Sequence, residues 1–299
     1  MAWLQVETNI GPTSPEAVET ALETIGAVAI TLKDAGDHPL LEPKPGETPL
    51  WPEIILTALF PEDSSKSVIN ATLDACTGNN DTHFSFLADR DWQLQFEEQL
   101  EPLQFGERLW VVPDPSSKLP QNSVAVILPP GLAFGTGTHP TTAMCLKWLD
   151  SLELQGKRTL DYGCGSGILG IAAVKLGATE ACLTDIDPQA LQAAANNAAR
   201  NGVTERLNIQ QAQKTDNSVR FDILLANILS GTLIELGPRL DALMAPGASL
   251  AITGILSGQA GEVSAAWSGW ADMKVSDQTR DWVLLTGTKY KAEQSETED

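Results

Sequence analysis

The stretch Thr159 to Gly170, reading TLDYGCGSGILG, constrains this chain more than any other. A short apolar strand runs into an acidic residue, Asp161, and then into glycines at alternate positions, Gly163, Gly165 and Gly167. An apolar helix, Ile168 to Leu176, follows and is closed by Gly177. Glycines at this spacing let the backbone turn sharply and come close to a ligand. The helix behind them presents free N–H groups and a positive dipole end to that ligand. This is the first turn of a nucleotide-type βαβ unit. The window Gly165 to Gly170 also fits GxGxxG, so a nicotinamide-dependent oxidoreductase is a competing reading, and a purely structural turn is another.

The residues beyond the turn add chemistry. Ala181 to Thr184 reads as a second strand ending at Asp185, about twenty residues after the glycines, where a carboxylate accepts hydrogen bonds from ribose hydroxyls. Asp187 precedes Pro188 and an alanine-rich helix ending near Asn201-Gly202, and reads as the N-cap of that helix. With no set of His and Cys residues near Asp185 and Asp187 to complete a site, no metal is expected. Phe221 to Ile228, FDILLANI, is nearly all apolar, as a buried parallel strand should be. Asn227 sits at its carboxyl end, where open α/β sheets bind ligands, and is placed to orient the group being modified. A second pliable loop, Pro129 to Thr142, PPGLAFGTGTHPTT, carries Gly131, Gly135 and Gly137 with Thr136, Thr138, Thr141 and Thr142. Its hydroxyl-rich helix start could hold a cofactor carboxylate, or Thr138 could simply cap the helix. His139 is a candidate base there. The alternation continues through a strand at Leu207 to Gln210, a helix at Leu229 to Met244 and a strand at Ser249 to Ile255. A closing strand pair, Ala271 to Ser276 and Asp281 to Lys289, completes it, with Trp267 and Trp270 as packing residues.

With 299 residues the chain is long enough for two domains. The first 88 residues read βαββαβ, the order of a small ferredoxin-like α+β module. Helices are expected from Pro15 (with Ser14 as cap and Val18, Leu22 and Ile25 on one face) and from Ser64 (with Val68, Leu73 and Ala75 apolar). A long polar loop is expected over 34–52. His38 and His83 are isolated, and the module carries no catalytic constellation, which leaves recognition or assembly as its role. Residues 89–121 are expected to link it to the main domain, 122–291. That segment contains a helix over 89–103, a strand over 105–112 and a Pro- and Ser-rich stretch over 113–121. The acidic tail, 292–299, is expected to be disordered.

Composition bounds the partners. The net charge is −20, from 39 acids against 19 bases, so direct binding of a phosphate backbone is not expected and a basic protein would be attracted. No apolar run approaches the roughly 20 residues of a membrane span, and the first residues lack the pattern of a signal peptide. Cys76, Cys145, Cys164 and Cys182 form no CxxC pair or regular framework, which fits reduced thiols in a cytoplasmic protein. A monomer is expected.

At these residues the chain resembles a known family. LDYGCGSG followed by Asp185 is similar to the cofactor site of class I S-adenosylmethionine-dependent methyltransferases. PGLAFGTGTHPTT with CGSGILGIAA, TDIDPQAL and ANIL resembles, more specifically, the bacterial methyltransferases of ribosomal protein L-eleven (L11). The likeness runs from the MAWLQ start through the PGETPLW loop to the WVLLTG strand. It implies an α/β, Rossmann-like seven-stranded methyltransferase domain behind a small substrate-gripping N-terminal domain on a flexible linker. It also implies S-adenosyl-L-methionine as cofactor, with contacts falling on Thr142, Gly163, Asp185 and Asn227, and Gly165 in the same turn. The implied reaction methylates lysine side chains and the N-terminal amine of that basic protein, each up to three times. Another basic protein is the alternative substrate, and a non-enzymatic binding module the alternative role. The family commonly has an acid where this chain has Pro129, and ANILS lacks the NPPY form of amide and adenine amino methylases, which fits an amine substrate. Lysine has a reference pKa near ~10.4, so the site must favour the neutral amine by desolvation and by acceptors such as Asn227. No dedicated catalytic base is assigned.

Overall fold

The structure is a computed structural model of the chain, describing residues 2–11, 13–36, 50–78, 81–88, 101–129, 137–216 and 218–291. Most of the loop expected over 34–52 (with His38), most of the helix expected over 89–103, the glycines and threonine of 131–136, and the acidic tail lie outside the described residues. Two compact units are present, Met1–Trp92 and Gln93–Asp299.

The first unit has the order β1 (Ala2–Asn9), α1 (Pro15–Thr24), β2 (Ala29–Asp34), β3 (Ile54–Pro61), α2 (Lys66–Thr77), β4 (Thr82–Ala88). Its sheet runs β2-β3-β1-β4 with every neighbour antiparallel, the ferredoxin-like arrangement expected from βαββαβ. Alternation decides which face is core: Leu4, Val6, Leu56, Ala58 and Phe60 point to one side and pack with Val18 and Leu22 of α1. On α2 the expected register needs correction. Ile69 and Leu73 are buried, whereas Val68 is 51% exposed. The pair Ile69–Leu73 is one helical turn apart, and Val68 lies about 100° away from it around the axis.

The second unit opens with β5 (Leu103–Phe105), β6 (Leu109–Val112) and β7 (Val124–Ile127), a small sheet in the order β5-β6-β7. The single strand expected over 105–112 is thus the second arm of a hairpin, turned at Gly106. Phe105, Leu109 and Val111, within the segment expected to be linker, are buried in the core of this unit. The reason is a buried carboxylate. Asp150 ends α3 (Pro140–Asp150), and its Oδ2 accepts the N–H groups of Glu107 (2.6 Å) and Arg108 (3.1 Å). Gly106 has φ +71°, and a Cβ there would strike Asp150. At the far end of the small sheet, the Asn201 side chain donates to the Ile127 carbonyl and accepts the Ile127 N–H, both at 2.8 Å.

The main sheet follows: β8 (Arg158–Tyr162), α4 (Ile168–Lys175), β9 (Glu180–Asp185), α5 (Pro188–Arg200), β10 (Leu207–Gln211), β11 (Phe221–Asn227), α6 (Ser230–Leu243), β12 (Met244–Leu256), α7 (Ala260–Trp267), β13 (Ala271–Thr279) and β14 (Trp282–Lys289). Its order is β10-β9-β8-β11-β12-β14-β13, parallel except that β14 is antiparallel to both neighbours. This is the expected seven-stranded Rossmann-like sheet, with a core on each face. Helix α7 was not legible as an element, although Val263 and Trp267 stand four apart and are both fully buried. Trp267 donates its indole N–H to the Leu233 carbonyl (3.2 Å) and meets Trp270 edge-on, the packing role expected of both. Among the described residues no helix is long and apolar enough to cross a membrane.

The Asp150 clamp gives a stability prediction. Asp150→Ala leaves two buried N–H groups and the Arg108 guanidinium without their acceptor, so it should lower the unfolding free energy by about 2–4 kcal/mol in urea titration. A loss below about 0.5 kcal/mol would show that the hairpin is not held by this residue.

Candidate functional site

Strand order reverses between β8 and β11, which makes their carboxyl ends the topological switch point where open α/β sheets bind ligands. The glycine turn leaves β8 there. The Thr184 carbonyl at the end of β9 accepts both the Gly163 N–H (2.8 Å) and the Cys164 N–H (2.9 Å). Asp185 takes the Gly165 N–H on Oδ2 (2.9 Å) and the Asp187 N–H on Oδ1 (3.0 Å). From α5, Asn197 donates to the Ser166 carbonyl (2.9 Å). The turn has left-handed φ at Gly163 (+76°), Gly165 (+52°) and Gly167 (+79°), conformations that cost a side-chain-bearing residue about 1–2 kcal/mol each. A Cβ on Gly163 would also strike the side chain of Ile228.

The other wall comes from α3 and β11. Asn227 donates its amide N–H to the hydroxyl of Thr142, one of the candidate threonines, at 3.3 Å. Because Ile228 follows Asn227 and lies against the Gly163 Cα, the two walls are continuous. Thr142, Asn227, Gly163, Gly165 and Asp185 therefore form one set. Asp187 caps α5 by accepting the Gln189 N–H (2.8 Å), as its position before Pro188 suggested. Thr138 is not the cap of α3. His139 is, accepting the Thr141 N–H while its Nδ1 lies 2.7 Å from the Thr141 hydroxyl and its ring stands edge-on to Trp282. Burial holds the His139 pKa below the ordinary value, so its ring is neutral near pH 7. Pro129 is half-buried beyond β7.

These residues suit a nucleoside-bearing cofactor. The turn leaves no room for a Cβ at Gly163, and it faces a carboxylate at the tip of the second strand. Ile186, next to that carboxylate, is 74% exposed although Leu183 three residues before it is fully buried. An apolar side chain left in the open beside such a carboxylate could cover the face of a purine ring. Leu229, beyond Asn227, is exposed in the same way.

Three groups escaped sequence reasoning. Asn197 and Ile186 had no local signal. Asp161 stood in plain view as the end of β8, but its environment did not. It is 1% exposed, and its Oδ2 accepts the Gly170 N–H in the first turn of α4 (2.9 Å). Burial, and secondarily the nearby Asp185 charge, push its pKa up to about 7 against the pull of that hydrogen bond. The thiols of Cys145, Cys164 and Cys182 are also raised by burial, and all four cysteines are free, which keeps these thiols protonated and inert.

The chain resembles known proteins over nearly its whole length. The sequence profile of ribosomal protein L11 methyltransferases (PrmA) matches residues 2–290. The chain is 46% identical to the ribosomal protein L11 methyltransferase of Pseudomonas aeruginosa (strain LESB58) over 292 residues, 97% of this chain and 99% of that one. It is 44% identical to the Klebsiella pneumoniae (strain 342) protein of that name, covering 97% of this chain and 100% of the other. A crystal structure of ribosomal protein L11 methylase from Lactobacillus delbrueckii subsp. bulgaricus is 28% identical with a TM-score of 0.57, covering 64% of this chain and all of that one.

The raised Asp161 pKa has a stability consequence. The folded state holds this proton more tightly than the unfolded chain, so the contribution is present at acid pH and is lost as pH rises through about 7. Cofactor-free protein should lose about 1 kcal/mol of stability from this group between pH 6 and pH 8. In Asp161→Asn that loss should vanish, as read by urea midpoints at the two pH values; equal slopes in both proteins would refute the assignment.

Proposed function

The chain belongs to the ribosomal protein L11 methyltransferase family, and we propose that its switch-point site transfers methyl groups from S-adenosyl-L-methionine to lysine and N-terminal amines of ribosomal protein L11. The observation that carries this reading is the continuous set Thr142–Asn227–Gly163–Gly165–Asp185 at the carboxyl ends of β8, β9 and β11. The dinucleotide reading of GxGxxG is the weaker one. The last strand of the chain, β14, is antiparallel and inserted between β12 and β13, unlike the 3-2-1-4-5-6 order of dinucleotide-binding sheets.

The cofactor supplies an electrophilic methyl on a sulfonium when bound. The chain supplies position. Asp185 fixes the ribose hydroxyls, and the exposed Ile186 covers one face of the adenine. The Gly163–Gly165 turn admits the backbone-close part of the ligand, and Thr142 holds its amino-acid end from the start of α3. With its N–H engaged by Thr142, Asn227 offers its amide oxygen to an N–H of the incoming amine, aligning the lone pair and favouring the neutral amine. The excess of 39 acids over 19 bases draws a basic protein toward the enzyme. The first domain, expected over 1–88, serves as the substrate-recognition domain, and the connection between the two units lets one site reach several amines. On this reading the enzyme works as a monomer in the cytoplasm on the protein itself, without contacting RNA.

The test pairs two neighbouring acids. Asp185→Ala should weaken S-adenosylmethionine binding by about 10- to 100-fold, since hydrogen bonds to a charged group are lost. Asp187→Ala should leave affinity within about threefold while costing about 1 kcal/mol of stability as a lost helix cap. Labelled methyl should appear on unmethylated L11 with the wild type and Asp187→Ala, and fall sharply with Asp185→Ala at low cofactor concentration. Label on L11 that is indifferent to Asp185→Ala would overturn the site; no label on L11 would overturn the substrate.

A further inference from the structure

Asp161 is a buried carboxyl with only part of its bonding capacity used. Its Oδ2 accepts the Gly170 N–H, whereas its Oδ1, also buried, has no hydrogen-bond partner in the structure. The groups that bear on it come from each element packed around it: the Cys145 thiol of α3, the Cys164 thiol of the glycine turn, the Cys182 thiol of β9, and the Asp185 carboxylate at the end of β9. All three thiols are protonated, so among the described residues the charge acting on Asp161 is negative. A lone buried anion beside a second anion is unfavourable, and the group escapes by holding a proton. Yet it sits two residues before the turn through which the cofactor is held, and the cofactor of the reading above carries a sulfonium and an ammonium against one carboxylate, a net positive charge.

Resting on that reading, we infer that Asp161 is substantially protonated in the cofactor-free enzyme near neutral pH and ionises when S-adenosylmethionine binds, releasing its proton to solvent. Asp161 is then a positioning residue. In its neutral form it tethers β8 to α4 through Gly170 with a weak acceptor. In its ionised form the same Oδ2 makes a stronger, charge-assisted bond to that N–H, tightening the turn as the ligand enters. The balance is simple: one Oδ1–H bond breaks, the proton passes to buffer, and no electron transfer or co-reactant is involved. Burial already raises the carboxyl pKa to about 7, so at pH 7 about half a proton should leave per cofactor bound.

The experiment is calorimetric titration of the full chain with S-adenosylmethionine at pH 7 in phosphate and in Tris, whose ionisation enthalpies differ. The difference between buffers reads the proton count. The expected results are release of about half a proton, and about tenfold tighter binding at pH 8 than at pH 6, since only the ionised form meets the ligand without cost. Asp161→Asn should bind with no release from this group and without the tenfold rise between pH 6 and pH 8, leaving only the titration of the ligand's own ammonium at about 8. Should that variant fail to fold, wild-type protein labelled with carboxyl-13C aspartate supplies the second reading: the infrared band of a protonated, buried carboxyl should disappear on cofactor addition. Cofactor binding with no proton release, or a carboxyl band unchanged by ligand, overturns the inference and leaves the methyltransferase reading standing. Failure of the wild type to bind S-adenosylmethionine at all overturns both.

Discussion

Two successive backbone N–H groups, of Gly163 and Cys164, share the carbonyl oxygen of Thr184. The chemistry of the molecule depends on that shared bond. It fixes the glycine turn to the neighbouring strand at the point where β8 gives way to α4. Everything the turn must do follows from its being held by backbone on one side and side chains on the other. Asp185 and Asn197 take Gly165 and Ser166. Asp161 ties the start of the helix. The turn can therefore stay open toward ligand with left-handed φ at three glycines, a conformation glycine adopts without strain, while five tertiary hydrogen bonds fix its shape.

Much of this was legible in the sequence because it is written locally. Glycine spacing marked the turn, an acid at the end of an apolar strand marked Asp185, and an asparagine ending a buried strand marked Asn227. The βαββαβ order of the first unit was readable for the same reason: alternation and turn residues announce each element. What stayed hidden was long-range. Asn197 reaches back 31 residues to Ser166, and Asn201 reaches 74 residues to Ile127. No window of sequence shows such pairs. The hairpin of β5 and β6 read as half linker because the group that orders it, Asp150, is more than forty residues away. The choice of Val68 over Ile69 was a register error of one residue, which on a helix is enough to move a side chain from core to solvent. His139 displaced Thr138 as cap because an imidazole acceptor two residues before Thr141 reaches its N–H, a choice that residue preferences alone do not make.

The two walls of the site differ in how they are built. The β8–β9 wall is backbone geometry stabilised by acids, and tolerates little change in shape. The α3–β11 wall is a side-chain contact, Thr142 to Asn227, at 3.3 Å. Under the proposed function the first wall receives the cofactor, and the second meets the group that takes the methyl. Rigid recognition and adjustable selection are thus assigned to different strands of one sheet.

The Asn201 side chain has a consequence away from catalysis. Val124 and Leu128 donate to β6, so by alternation Ala125 and Ile127 turn their polar groups to the open edge of β7. Asn201 occupies both groups of Ile127. An amide side chain, placed at the end of a helix, stands in for one residue of a missing neighbour strand. A four-residue edge with half its outward groups taken has no run long enough to recruit a strand from another molecule. In a protein with a net charge of −20, the end of α5 acts as a guard on the sheet.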